Sequence, residues 1–155
     1  MPLKVRGSNS VDAALAAVNK TIVGDHLRLR ALVRGKDRTL AGLGPPFLDE
    51  DAVVYKVGRT TGATRGRVTA FDLDNVVVNF DAGNLRFDGQ IEIEGTGRAP
   101  FSDGGDSGSL IVDEDMNAVA LLFAGSETGG ANDAGLTYAN PIHEVLKRVG
   151  AKLLP

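Results

Sequence analysis

Short apolar runs separated by turn residues make up most of the chain after residue 50. In several of these runs apolar and polar residues alternate, which is typical of strands with one buried face. The runs that we predict to be strands cover 52–58, 63–73, 76–80, 90–94, 110–112 and 118–124, and Tyr138 lies in a final short strand. Gly66, inside the second run, is a candidate for a bulge. Turn signals recur roughly every ten residues, a spacing that favours a small antiparallel barrel or sandwich.

Residues 141–149 follow a different period. Ile142, Val145, Leu146 and Val149 recur at the spacing that places apolar side chains on one face of a helix. Pro141 suits the start of that helix, because the N–H that proline lacks would have no partner there. We therefore predict a short helix that closes the chain.

The residues before position 46 are less regular. The run 11–18 is small and apolar, contains one carboxylate, Asp12, and follows Ser10. Because Ser10 is a good N-cap, the run fits a short helix, but a buried strand fits it equally well. Residues 42–46, Gly-Leu-Gly-Pro-Pro, are the clearest connector in the chain.

The composition is that of a single globular domain. The 155 residues suffice for one core, and 43% of them are apolar. Aromatic residues make up 5% and Trp is absent, so the core must consist mainly of Val, Leu, Ala and Ile. The net charge is −3 and the Lys and Arg residues are scattered, which argues against nucleic acid or a membrane surface as a partner. The absence of Cys excludes disulfides, a thiol nucleophile and Cys-based metal sites.

The sequence also lacks the usual signals for membranes, export and metals. No apolar stretch is long enough to span a bilayer, and residues 1–6 lack the apolar core of a signal peptide, so we expect a cytoplasmic protein. Residues 113–117 are similar to the start of a calcium loop, but Ala118 and Ala124 stand where such a loop needs Gly and Glu. A solvated turn is the better interpretation, and we expect neither a metal nor a cofactor.

Residues 104–109, Gly-Gly-Asp-Ser-Gly-Ser, carry the most informative chemistry of the chain. A serine on a tight turn before a strand is well placed to be a nucleophile, and the N–H groups of Gly105 and Ser107 would bind a developing oxyanion. An ordinary turn is the alternative, because Gly, Asp and Ser are common turn residues. The nucleophile elbow of α/β-hydrolases is excluded, since it needs Gly where Ser109 stands and a helix in place of the strand 110–112.

Several segments together resemble the trypsin/chymotrypsin-like serine proteases, especially bacterial members. They are Val-Tyr-Lys-Val-Gly-Arg-Thr-Thr-Gly at 54–62, Phe-Ser-Asp-Gly-Gly-Asp-Ser-Gly-Ser at 101–109, and the stretches 121–126 and 135–142. The resemblance covers about residues 50 to 150, in the order and spacing of that family. It implies an all-β fold, namely the antiparallel six-stranded Greek-key barrel that is the family's second barrel, with a short C-terminal helix. The implied parts are a first-barrel remnant with the interbarrel connector at 1–45, the second barrel at 46–140, and the helix with a tail at 141–155.

The same resemblance assigns catalytic roles. Ser107 would be the nucleophile, and its N–H with that of Gly105 would form the oxyanion hole. Asp12, which lies 95 positions before Ser107 (107 minus 12), would be the triad aspartate that orients a histidine. A helix-capping or solvent-facing aspartate is the alternative for Asp12.

The resemblance also assigns substrate contacts. Phe101, six positions before Ser107, would form the base of the primary specificity pocket. Phe123, Ala124 and Gly125 would pair with the backbone of a polypeptide substrate, as an added strand does. Together these residues favour small or apolar substrate side chains, although Phe101 also fits a place in the core.

The catalytic histidine of that family is not evident in the sequence. It precedes the aspartate there, whereas no His occurs before Asp12. The histidines of this chain are His26, in the predicted connector, and His143, in the predicted terminal helix, and neither has the expected context. Because a serine hydroxyl needs a base to take its proton, we expect the chain alone to be a poor protease.

Three explanations of the missing histidine stay open. The chain is a fragment of a longer protease, one half of a split enzyme whose partner chain carries the first barrel and the histidine, or a degenerate relative that keeps the fold for binding or assembly. In each case the absence of the first barrel would expose apolar surface, and residues 1–40 would need a partner, self-association or some disorder. The function favoured is a serine endopeptidase that forms an acyl-enzyme on Ser107. The alternatives are an inactive binding module and an unrelated scaffold in which the serine loop is only a turn.

Overall fold

The structure, a computed structural model, describes residues 3–17, 28–33 and 36–153. Within these residues the chain forms mostly short strands, and a helix follows the last of them. The elements are β1 Ser8–Asn9, β2 Arg28–Val33, β3 Lys36–Thr39, β4 Gly42–Leu43, β5 Val53–Gly58, β6 Gly62–Leu73, β7 Val76–Phe80, β8 Gly83–Phe87, β9 Gln90–Gly95, β10 Leu110–Val112, β11 Asn117–Gly125, β12 Leu136–Pro141 and α1 Ile142–Val149.

Six of the strands form a closed antiparallel barrel. Their order is β5-β6-β9-β12-β11-β10, and β10 pairs with both β11 and β5, which closes the barrel. Because β9 and β10 are not neighbours, the chain crosses the end of the barrel between them, as in a Greek key. This crossing carries residues 96–109 and therefore the serine of interest. The predicted six-stranded barrel is confirmed.

The barrel interior is filled by alternate residues of its strands. The fully buried members are Val54, Val68, Ile91, Ile93 and Ile111, each 0% exposed. Phe101, from the crossing connection, packs among them. Fully burying a side chain of this size contributes roughly 1.5–3 kcal/mol, so this interior is the main support of the connection that carries Ser107.

Gly66 is not a bulge. It pairs in register with both neighbouring strands, and the irregularities of β6 fall later, from Val68 onward. A Cβ at position 66 would lie 2.7 Å from the ring of Phe101. Glycine is therefore needed here for close packing rather than for a change in strand direction.

A separate three-stranded sheet lies beside the barrel. β7 and β8 form an antiparallel hairpin, and β1 joins β8 in parallel. Phe87 of β8 is fully buried and packs against Phe123 with 4.9 Å between ring centroids. β8 is absent from the predicted strands, because Gly83 and Asn84 read as a continuation of the preceding turn.

The segment 11–17 is neither helix nor strand, so both predicted alternatives are wrong for this part of the run. Val11 is buried against β11 and α1. The backbone of Asp12 bonds to the side chain of Asn140, which takes the place of a helical turn or a neighbouring strand. Residues 14–17 are exposed, Leu15 to 68%.

The C-terminal helix is confirmed. α1 follows Pro141 and ends at Gly150, whose positive φ of 65° and hydrogen bond to the Leu146 carbonyl close the last turn. The predicted connector at 42–46 begins with β4, which pairs in parallel with the start of β11. In the described part of the chain no helix combines the length and the apolarity needed to cross a membrane.

Candidate functional site

The serine loop, residues 103–109, leaves two N–H groups without an internal acceptor. The N–H groups that donate within the protein are those of Asp103, Gly104, Asp106, Gly108 and Ser109. No described residue accepts a hydrogen bond from the N–H of Gly105 or Ser107. The two predicted oxyanion donors are thus the amides that the loop keeps free. Ser107 is exposed, and its Oγ lies 3.4 Å from the Phe123 carbonyl oxygen, too far for a firm hydrogen bond.

Gly105 gives the loop its shape. Its φ of 98° lies in a region that residues with a side chain rarely adopt. A Cβ at this position would also lie 2.6 Å from both Arg59 Nη2 and Thr60 Oγ1. Any other residue at 105 would strain the backbone, press on the β5–β6 turn and displace the free amide.

Asp106 joins the serine loop to the turn between β5 and β6. Its Oδ1 accepts the Thr60 N–H at 2.7 Å, and its Oδ2 accepts the Thr61 hydroxyl at 2.6 Å. The same Oδ2 lies 3.1 Å from Lys56 Nζ. Glycine at position 58 makes room for this carboxylate, because a Cβ there would collide with it. The Val-Gly-Arg-Thr-Thr-Gly motif at 57–62 therefore binds the serine loop and positions it.

The ion pair of Lys56 and Asp106 is completely buried, with 0% exposure of either side chain. Burial lowers the pKa of Lys56, and Asp106 offsets part of that effect. Burial alone would raise the pKa of Asp106, but the Thr61 hydroxyl, neighbouring backbone N–H groups and the Lys56 ammonium hold it well below its usual range. Removing one member of a buried pair costs about 3–5 kcal/mol, since the other charge is left without a partner. The conformation of the serine loop therefore depends on this pair.

Buried side-chain amides hold the Asp12 segment against the barrel. Asn140, which is 0% exposed, accepts the Asp12 N–H and donates to the Asp12 carbonyl, both at 3.0 Å. Gln90, also 0% exposed, donates to the Ser10 carbonyl at 3.0 Å. These contacts fix the backbone of Asp12 without any strand pairing of its own.

Asp12 and Ser107 line one cavity of about 320 Å³, which we call the Asp12 cavity. Its other lining residues are Ala13, Ala14, Gly108, Leu121, Leu122 and Phe123. The Asp12 carboxylate forms no hydrogen bond or salt bridge with a described residue, and burial raises its pKa. A cation placed beside this half-buried carboxylate would be stabilised by it. The structure thus places the predicted aspartate and the predicted nucleophile on the walls of one cavity.

Ser107 also lines a larger cavity of about 480 Å³, which we call the Ser102 cavity. Its other lining residues are Pro100, Ser102, Asp103, Gly104, Leu122, Ala124, Gly125, Ser126, Glu127 and Ala134. The Ser102 hydroxyl is hydrogen-bonded to the Thr137 hydroxyl at 2.6 Å. Phe101 is 1% exposed and packs in the barrel core, so the pocket position expected for it is occupied by its neighbour Ser102.

The end of β11 passes beside Ser107. On one side this end is paired with β12, and on the other side no barrel strand pairs with it. β10 pairs with β11 up to Leu121, whereas Ala124 and Gly125 still pair with β12 on the other edge. Phe123 lies between these pairings, beside Ser107. An extended peptide could add to this edge as a further strand, and the pairing of Phe123, Ala124 and Gly125 with a substrate stays a prediction.

The histidines do not supply a base within the described residues. His143 Nε2 lies 2.9 Å from the Gly44 carbonyl oxygen, and the ring lines a groove with Leu43 and Leu146 rather than either cavity at Ser107. His26 lies outside the described residues.

Sequence analysis did not identify Lys56 and Asn140 as residues that support the site, although the sequence pattern contained a signal for Lys56. Lys56 follows Val54 by two positions in β5, so strand alternation alone points its side chain inward, where a lysine requires a counterion. Asn140 had no such signal, because its function depends on a segment 128 positions away.

Neither a protein-family model nor a curated protein matches the chain. Solved structures do match. The chain is similar to a chymotrypsin of Cellulomonas bogoriensis, with a TM-score of 0.61 and 23% identity over 83% of this chain and 61% of that one. It is similar to protease A of Thermobifida fusca, with a TM-score of 0.60 and 23% identity over 83% of this chain and 60% of that one.

A third similar structure is a glutamic-acid-specific serine protease described as using a histidine triad in substrate binding. It has a TM-score of 0.57 and 26% identity over 79% of this chain and 58% of that one. The chain spans about three fifths of the length of each of these three structures. Its closed barrel, the serine loop on the crossing connection and these similarities lead to one conclusion: the chain has the trypsin/chymotrypsin-like serine protease fold.

Proposed function

We propose that this chain is the nucleophile-bearing part of a serine endopeptidase that hydrolyses polypeptides through an acyl-enzyme on Ser107. The observation that carries the proposal is the pair of free N–H groups, of Gly105 and Ser107, beside an exposed serine hydroxyl. Preorganised donors of this kind bind the oxyanion of a tetrahedral intermediate, and removing one costs about 10²–10³ in kcat. Of the similar solved structures, one is named as a protease and another as a serine protease, which supports the same class of reaction.

In this reaction Ser107 Oγ attacks the carbonyl carbon of the peptide bond and loses its proton to a base. The carbonyl oxygen becomes negative and is bound by the N–H groups of Gly105 and Ser107. The base returns the proton to the leaving amine as the C–N bond breaks, which leaves an ester on Ser107. Water, deprotonated by the same base, then hydrolyses that ester. Asp12 would orient the base and stabilise its positive charge.

The base would be a histidine of a first barrel, carried by a longer form of this chain or by a partner chain, that reaches into the Asp12 cavity. The Asp12 carboxylate supports this, because it is half-buried and has no described partner of opposite charge. The exposed residues 14–17 beside the cavity support it too, because an apolar side chain such as Leu15, 68% exposed, is typical of a contact surface. The similar structures are longer than this chain by enough to hold such a part.

The Ser102 cavity changes the substrate preference inferred from the sequence. Ser102 and the acidic residues Asp103 and Glu127 line it, and no described Lys or Arg does. This lining suits a cationic side chain better than the small or apolar one that Phe101 favoured, and it repels an acidic one. We therefore expect cleavage after lysine or arginine.

The test is labelling of Ser107 by a small fluorophosphonate, with and without imidazole as a soluble substitute for the base. We expect slow labelling of the chain alone, labelling faster by about tenfold or more with imidazole, and none in Ser107→Ala. Asp12→Asn should lose most of the response to imidazole, whereas Asp49→Asn, which changes an exposed carboxylate remote from both cavities, should keep it. The proposal fails if the parent chain is not labelled in any condition or if Ser107→Ala is labelled equally.

A non-catalytic binding module on the same fold is the second candidate. The lack of a described histidine in either cavity at Ser107 favours it. This candidate predicts that imidazole has no effect and that peptides bind along 123–125 without cleavage. Calorimetry of peptide binding should then give the same affinity for the parent chain and for Ser107→Ala.

A further inference from the structure

The loop 126–135 forms one wall of the Ser102 cavity, through Ser126, Glu127 and Ala134. It leaves the barrel at the end of β11 and returns at β12. Strand pairing therefore fixes its two ends but not its middle. Something else must hold the wall in place if the cavity is to discriminate between side chains.

Glu94, on β9, reaches this loop from the barrel. Its Oε1 accepts the Asn132 N–H at 3.0 Å, and its Oε2 accepts Arg67 Nη2 at 2.7 Å. Asn132 in turn donates from Nδ2 to the carbonyls of Gly95 and Gly97, both at 3.1 Å. Hydrogen bonds of Asn132 to the Glu94 carboxylate and to two backbone carbonyls thus join the middle of the loop to the end of β9.

The carboxylate of Glu94 is buried and charged. The residue is 3% exposed, and Gly130 passes so close that a Cβ there would lie 2.8 Å from Oε1. The Asn132 N–H, more than any other group, holds the pKa of Glu94 below its usual range, and Arg67 adds to this against the effect of burial. Replacing the carboxylate by an apolar group would leave the Asn132 N–H without its acceptor, which is the expensive way to break a buried hydrogen bond.

Glu94 lines neither the Ser102 cavity nor the Asp12 cavity, so the chemical steps do not use it. We propose that Glu94 is a positioning residue for substrate selection: it holds the loop 126–135, and with it the Glu127 and Ala134 wall of the Ser102 cavity. The selection role rests on the proposed function, whereas the hold on the loop does not.

The first experiment is hydrogen exchange of the purified chain followed by mass spectrometry. In Glu94→Ala we expect exchange within 126–135 to accelerate by about tenfold or more, with the barrel strands unchanged. Glu94→Gln keeps one acceptor for the Asn132 N–H and should retain part of the protection. Asn132→Ala keeps the N–H that binds Glu94 but removes the side-chain hydrogen bonds to the Gly95 and Gly97 carbonyls, so it should accelerate exchange in the loop less than Glu94→Ala does.

Glu92→Gln is the matched control. Glu92 lies two positions away on β9 and bonds to the Thr69 hydroxyl at 2.8 Å, so the variant loses a charge from the same strand without touching the loop. Its exchange within 126–135 should equal that of the parent chain. The proposal is overturned if Glu94→Ala also exchanges at the parent rate there.

The second experiment compares two covalent probes of Ser107 in the presence of imidazole. A small fluorophosphonate does not need the Ser102 cavity, whereas a peptidyl phosphonate with lysine at the position before the phosphorus does. In Glu94→Ala the rate with the peptidyl probe should fall by about tenfold while the rate with the small probe stays the same. A general loss of folded protein would lower both rates equally and would contradict a role in selection. If neither probe labels the parent chain, the proposed function fails, and the exchange experiment still decides whether Glu94 holds the loop.

Discussion

The serine loop and the Asp12 segment both line the Asp12 cavity, but different kinds of contact hold them in place. The serine loop is fixed from inside the barrel, by the fully buried pair of Lys56 and Asp106. The Asp12 segment lies along the surface, where the side chain of Asn140 holds its backbone and its carboxylate has no described partner. The comparison teaches that contacts within this chain hold the proposed nucleophile and oxyanion donors, whereas the proposed base would have to come from outside the described residues.

Lys56→Met should have the largest effect, because it attacks the internal support of the serine loop. Asp106 would remain buried without its cation, and we expect a loss of about 3–5 kcal/mol in the free energy of unfolding. Denaturation in urea measures this. Arg65→Ala removes an exposed cation from β6 and should change stability by less than about 0.5 kcal/mol. Equal losses in the two variants would show that the serine loop does not depend on the pair.

Gly105→Ala should come next. The φ of 98° and the contacts of a new Cβ with the 58–62 turn strain the loop, at a cost of about 1–3 kcal/mol. Because the free amide at 105 is displaced, fluorophosphonate labelling with imidazole should fall by about 10²–10³. Gly104→Ala is the matched control, since a Cβ there meets nothing within 4 Å and its φ is not positive. Equal labelling of both variants would contradict the assignment of the oxyanion donor.

Asn140→Ala changes the Asp12 segment and should have a smaller effect on labelling than Gly105→Ala. It removes two hydrogen bonds to Asp12, with a loss of about 1–3 kcal/mol that is confined to the segment 8–17. We expect faster hydrogen exchange in that segment and a weaker response of labelling to imidazole, with the slow basal labelling unchanged. Asn79→Ala, on the exposed side of the β7–β8 hairpin, should leave both rates alone. A parallel fall of basal and stimulated labelling would mean that the two regions are not independent.

The smallest effect is the contrast in titration between the two aspartates. Burial raises the pKa of Asp12 above its usual 3.8, whereas hydrogen bonds and Lys56 hold that of Asp106 below it. Ionised Asp106 therefore stabilises the fold above pH 3.8, and this contribution is lost as the pH falls through its lower folded pKa. Asp12 has the opposite sign, since its ionisation costs stability as the pH rises through its folded pKa. Carboxyl carbon NMR should give a higher titration midpoint for Asp12 than for Asp106. The reverse order would contradict the difference in environment described for the two carboxylates.

The sequence was most informative where local patterns decide the structure. Strand alternation and turn spacing predicted the barrel strands, and the helical period with Pro141 predicted α1. The tight turn of the serine loop was predicted as well, because Gly, Asp and Ser are common turn residues. In the strands and in α1 each residue's conformation follows from its near neighbours, whereas the shape of the serine loop also depends on Lys56, which is distant along the chain.

The remaining features depend on contacts between distant parts of the chain. Gly66 is a matter of packing against Phe101, and the irregular course of 11–17 depends on Asn140. The pocket expected at Phe101 belongs to Ser102 because the barrel interior takes the phenyl ring. Period and propensity describe one segment at a time, so they do not reveal which distant side chain will satisfy a segment or fill a space.

The buried ring of Phe101 connects the packing of the barrel interior to the serine loop. The ring packs against Gly66 on one strand and lies 5.6 Å from the Lys56 ammonium on the next, and six residues further along the chain is Ser107. A methyl group added at Gly66 would meet both the ring and the Glu94 carbonyl, and any shift of the ring would reach the Lys56 ammonium and its partner Asp106, next to Ser107. Substitutions in the barrel interior can therefore change the geometry at Ser107, although Gly66, Phe101 and Lys56 line neither cavity.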